Sequence, residues 1–178
     1  MASIIKVDTI QTAAGGTPTA GGLGITVGGT ILQTQRFAAT THNENSSSTY
    51  ADSLLTVNIT PTSTSSKILV MSHSSIQFFR SADNTTGGVS RLVRVNSGSL
   101  TQLAGHSFYE SHDALATSNA LQVYSSDTYF VLDSPASTNQ LTYKIQIKVI
   151  SANAIRYTKH YDGDNQTPGE IVVMELGS

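Results

Sequence analysis

From Leu141 to Val149 the chain alternates apolar and polar residues without a break. Leu141, Tyr143, Ile145, Ile147 and Val149 occupy one phase, and Thr142, Lys144, Gln146 and Lys148 the other. A period of two belongs to a strand with one face in a core and the other in water; a helix would scatter these residues around its circumference. No other feature narrows the fold as much. A strand patterned this way cannot stand alone, so the chain must supply a sheet beside it and a second layer over it.

Several segments can do so. Leu55, Val57 and Ile59 alternate with Thr56, Asn58 and Thr60. Residues 67–79 carry apolar side chains in both phases (Ile68, Val70, Ile76 and Phe78 against Leu69, Met71 and Phe79), which predicts a strand covered on both faces for part of its length. Residues 89–95 and 100–103 flank Asn96-Ser97-Gly98-Ser99, the chemistry of a hairpin tip. Residues 31–37, 128–132, 155–157 and 171–176 read as further strands, while 104–126 is ambiguous and allows a short helix over 113–120. Ser and Thr make up roughly a quarter of the chain and charged residues only 12%. Both hydroxyl residues compete with helical backbone bonds, so composition also disfavours helix. Seven to nine strands at these intervals predict an all-β, antiparallel β-sandwich, jelly-roll-like, with an immunoglobulin-like order left open by the pattern alone.

The first 30 residues differ in texture. Ile4, Ile5, Val7 and Ile10 form a short apolar patch, and seven glycines follow between Gly15 and Gly29, too many for a helix or a packed strand. The expected organisation is an extended arm over residues 1–30 and a β-sandwich domain over 31–178. Such an arm is held by something outside itself, and its four aliphatic side chains are the candidate docking residues.

Composition removes most chemistry. With no Cys there are no disulfides, thiolate nucleophiles or zinc ribbons. Ten basic against twelve acidic residues give no overall field for a polyanion, so no nucleic-acid partner is expected. No apolar run approaches ~20 residues, so no membrane insertion is expected, and the opening lacks the features of a secretory leader. Of the five histidines, His106 and His112 bracket Glu110, and a strand would put all three on one face. Their spacing matches no metal signature. Asp162-Gly163-Asp164-Asn165 offers calcium-like oxygens without the later ligands of a calcium loop, and two carboxylates two residues apart cannot flank a sugar. Neither a nucleophile elbow nor a phosphate-binding loop is present. The reading is no enzyme and no cofactor. Phe108, Tyr109, Tyr124, Tyr129, Tyr157 and Tyr161 are read mainly as core and subunit-packing residues, with sugar binding the alternative.

The opening Met1-Ala-Ser-Ile-Ile-Lys-Val-Asp-Thr-Ile-Gln11 and the Ala14-Gly-Gly-Thr-Pro-Thr-Ala20 that follows resemble the N-terminus of tailed-bacteriophage fibre proteins. The strings Ile59-Thr60-Pro61-Thr62, Leu132-Asp133-Ser134-Pro135, Tyr143-Lys144-Ile145-Gln146 and Val173-Met174-Glu175-Leu176 resemble small trimeric β-domains of phage appendages. The resemblance implies a virion protein, a homotrimer whose arm contacts tail, baseplate or capsid proteins and whose domain meets a host surface, with a host-surface glycan among the partners it allows. One alternative uses the same parts, a decoration or cement protein that stabilises the head; another, of a different class, is a secreted carbohydrate-binding module, which the apolar arm and the expected lack of a leader count against.

Overall fold

The computed structural model describes residues 30–80, 86–110, 121–150, 154–157 and 169–177. Among them are ten strands and no helix: β1 (Ile31–Ala39), β2 (Asn43–Asn45), β3 (Ala51–Ile59), β4 (Lys67–Arg80), β5 (Thr86–Asn96), β6 (Ser99–Glu110), β7 (Leu121–Asp133), β8 (Leu141–Val149), β9 (Ala154–Tyr157) and β10 (Gly169–Leu176). Their antiparallel pairs are nested. The tip hairpin β5–β6 lies inside β4–β7, which lies inside β3–β8, then β2–β9, then β1–β10. A long double-stranded ribbon rolled up on itself gives this nesting, and it distributes the strands into two sheets. One runs β1–β10–β4 with β7 on the far edge of β4, and β9 and β2 continuing beside the second half of β4; the other runs β3–β8–β5–β6. The fold is an antiparallel jelly-roll sandwich, and an immunoglobulin-like order is ruled out.

Period two explains what lies between the sheets. Leu55, Val57 and Ile59 of β3, Leu92 of β5 and the whole apolar phase of β8 meet Ile68, Val70, Ile76 and Phe78 of β4, Tyr129 of β7 and Ile171 and Val173 of β10 in one core. At the ribbon's tip Ser97 and Gly98 both have positive φ, 48° and 83°, the pair that a two-residue turn needs to match strand twist.

Three expectations need correction. Strands exceed the expected seven to nine, because β2 has no apolar pattern. Its last residue, Asn45, is buried and is anchored instead by donating Nδ2 to the carbonyl oxygens of Ile147 (2.7 Å) and Thr49 (3.1 Å). The strand expected over 128–132 begins at Leu121, since backbone pairing with β4 continues through the polar residues 124–127. Much of the ambiguous stretch is strand on either side of 111–120; the helix reading falls outside the described residues, as do residues 1–29.

Candidate functional site

The outer face of the six-stranded sheet is set by the ladders of β4. Register places Val172, Met71 and Phe130 in one row across β10, β4 and β7, and Met174, Leu69 and Leu132 in the next. Ile31 of β1 lies opposite Leu176 and extends the patch toward the start of the domain. Phe130 is 72% exposed, Ile31 54% and Leu132 52%. Six side chains in two adjoining rows make a contiguous apolar surface, which soluble monomers rarely leave in water.

The next row is polar. Glu170, His73 and Thr128 lie side by side, with His73 Nδ1 3.1 Å from Thr128 Oγ1. Arg36 of β1 donates Nε and Nη2 to the two Glu170 oxygens at 2.5 and 2.8 Å, and this hydrogen bonding and charge hold the Glu170 carboxyl below its usual range. An open groove of about 350 Å³ runs between the two kinds of row, lined by Met71, Phe130 and Val172 on one side and His73, Thr128 and Glu170 on the other. In the inward phase of β10, past Ile171 and Val173, Glu175 is fully buried among polar donors. Gln33 Nε2 donates to it at 2.6 Å, and the Thr62 amide and hydroxyl each donate at 2.7 Å. Burial alone would raise its pKa; these hydrogen bonds outweigh burial and hold it at about 2.

Two carboxylates lie between the sheets. Asp133 accepts Arg94 Nη1 on both oxygens at 2.7 Å and the Tyr143 hydroxyl at 2.7 Å, so one group ties β7 to β5 and β8. Burial, then the Asp133 hydrogen bond, pushes the Tyr143 phenol well up. Asp127, also buried, accepts His106 Nδ1 at 2.7 Å and the Tyr157 hydroxyl. The imidazole stacks on Tyr129 with centroids 4.5 Å apart, and Tyr129 in turn meets Ser90 Oγ at 2.6 Å. A carboxylate–imidazole pair resembles part of a hydrolytic site, but the Ser90 hydroxyl is committed to Tyr129 rather than to the ring. The pair joins β6 to β7 across the open side of the sandwich.

The outer face of the four-stranded sheet is of another kind. Thr56, Asn58, Thr142, Lys144 and Lys148 line it, and several of its polar groups pair across strands: Thr142 Oγ1 donates to Asn58 Oδ1, Lys144 Nζ to Asp52 Oδ2, and Arg91 to Gln146 Oε1.

Of the residues singled out in the sequence, Ile4, Ile5, Val7 and Ile10 lie outside the described residues, as do His112, Asp162, Asp164, Tyr161 and the side chains of Tyr109 and Glu110. His106 contacts Asp127, and among the described residues no three of His, Asp and Glu gather where a metal could be held. Tyr129 and Tyr157 belong to the core, and Phe108 packs against it. Phe130 was not singled out. Its signal was its place in one phase of a strand with Leu132, matching the second apolar phase of residues 67–79.

No family model matches the chain, and no curated protein does. Solved structures do. An Eiger TNF from S. frugiperda aligns over 84% of this chain and 95% of its own, at 12% identity and TM-score 0.43. Murine APRIL aligns over 81% and 100%, at 14% identity and TM-score 0.37. The VP2 protein of an infectious bursal disease virus subviral particle aligns over 83% of this chain and 38% of its own, at 12% identity and TM-score 0.34. Likeness at this level carries nothing about function, and the jelly roll rests on the nested ladders themselves.

Proposed function

We propose that the chain is a non-enzymatic structural protein of a bacteriophage particle. In this reading it is a homotrimeric, tail-fibre-type appendage, docked by residues 1–30 and displaying its β-domain for adhesion to a host surface. The observation that carries it is the apolar pair of rows, Val172–Met71–Phe130 and Met174–Leu69–Leu132. A second copy of the same face is the occupant it suits, because each copy brings two apolar rows and a polar row beside them. A closed ring of three covers such faces without leaving an open, growing edge.

The position of the arm supports the same arrangement. The Gly177 amide donates to the Thr30 carbonyl at 2.8 Å, so the chain enters the domain beside Ile31 and Leu176, at the edge of the apolar face. Rotational symmetry about an axis along that face brings three arms out together, and three linked arms hold a particle far more tightly than one. Ile4, Ile5, Val7 and Ile10 are the side chains proposed to fill pockets there.

Deleting residues 1–28 tests this. The truncated protein should remain folded and trimeric yet be missing from particles, and imaging of particles carrying the full chain should locate it on the tail. Density on the head would favour the decoration-protein alternative. Retention of the truncated protein on particles would refute the docking role of the arm.

A further inference from the structure

The outer face of the four-stranded sheet gathers positive charge on a chain whose formal net charge is -2. Arg91 Cζ lies 3.7 Å from the centroid of the Tyr50 ring and Lys148 Nζ 4.7 Å from the same centroid. Lys144 is two residues from Gln146 along β8, and Arg91 pairs with Gln146 from β5. Three cations therefore share a small area with one carboxylate, Asp52, which takes Lys144 Nζ at 2.7 Å and Gln146 Nε2 at 2.6 Å. Burial would raise the Asp52 pKa, but these bonds outweigh it and keep the group ionised.

Asp52 makes no hydrogen bond to the other two, although its charge reaches Arg91. Among the described residues nothing accepts a hydrogen bond from Lys148 Nζ. The Arg91 Nη1 donor has only Gln102 Oε1 at 3.5 Å, too long for a strong bond. Two like charges against one aromatic ring, each with donors to spare, leave a positive excess that an anion can match.

We propose that Tyr50, Arg91 and Lys148 on this face form a binding site for the carboxylate groups of an acidic polysaccharide. The Arg91 guanidinium and the Lys148 ammonium each offer donors to carboxylate oxygens, and Gln102 beside Arg91 can meet a sugar hydroxyl. Nucleic acid suits the face less well, since one cluster of three cations offers no track for a run of phosphates. The inference rests on the trimer reading in one respect: with the six-stranded sheet turned inward, this face points outward.

The test uses the full-length protein, titrated with polygalacturonate, neutral dextran and duplex DNA at about 50 and about 200 mM salt. Polygalacturonate should bind at the lower salt and weaken at the higher, and dextran should not bind. Lys148→Glu should weaken polygalacturonate binding about tenfold or more, and Asp52→Asn should strengthen it. Absence of polygalacturonate binding, unchanged binding by Lys148→Glu, equal binding of dextran or tighter binding of DNA would each overturn the proposal. The mass of the same samples separates the two readings: a trimer that does not bind sinks only this site, and a monomer that binds sinks only the buried sheet.

Discussion

The two outer faces of this sandwich are made by the same alternation and end up opposite in character. On the four-stranded sheet the outward phase of β8 is Thr142, Lys144, Gln146 and Lys148, and each of the middle two has a partner on a neighbouring strand. On the six-stranded sheet the outward phase of β4 is Leu69 and Met71 before it becomes His73, and its neighbours there are Leu132, Phe130, Val172 and Met174. Antiparallel backbone pairing runs through both sheets alike. Only side-chain choice separates a face finished in water from one that needs a second layer, and that choice is what marks an assembly surface in an all-β protein.

The largest expected effect comes from making the second face like the first. Met71→Lys together with Phe130→Glu should convert the proposed trimer to monomer while leaving the strand signature in circular dichroism, because neither side chain belongs to the core. Thr56→Lys with Asn58→Glu on the other sheet should leave the mass unchanged. Equal loss of assembly from both pairs would erase the distinction between the faces.

A smaller effect tests whether the sheets are locked to each other, as a fixed difference between faces requires. Asp133→Ala leaves Arg94 buried without its carboxylate and should destabilise the domain by about 3–5 kcal/mol in denaturant unfolding. Below that comes an acid effect at the inward-facing end of β10. The folded pKa of Glu175, about 2, lies under the ordinary carboxylate value, so its contribution is complete above that ordinary value and is lost as pH falls toward 2. The melting temperature should drop across that window, and Glu175→Gln should flatten the drop. The smallest effect belongs to the polar face, where Arg91→Ala should cost about 1 kcal/mol through lost contact with Tyr50 and Gln146, with no change in mass.

Much of this was legible in the sequence, for reasons that differ by element. β8 announced itself because both of its faces are uniform. The double phase of residues 67–79 predicted a strand covered on both faces; the inner face is covered, but among the described residues Leu69 and Met71 on the outer face are only half-buried. The first half of β7 was not legible, since Tyr124, Ser125 and Ser126 are held in the sheet by backbone bonds that leave no side-chain pattern. Nor was the nesting of the ladders, which joins Ile31 to Leu176 and Asn45 to Ile155 across most of the chain. The cluster of Arg91, Lys148 and Tyr50 escaped for the same reason. Overall charge is nearly balanced, and only the register of β5 against β8 brings the cations together.

Sedimentation equilibrium of the unmodified protein at micromolar concentration tests the buried face most directly. The account predicts a single species of three times 18.8 kDa, with no loss of mass on dilution through that range. A stable 18.8 kDa monomer, with Met71, Phe130 and Leu132 left in water, would contradict it.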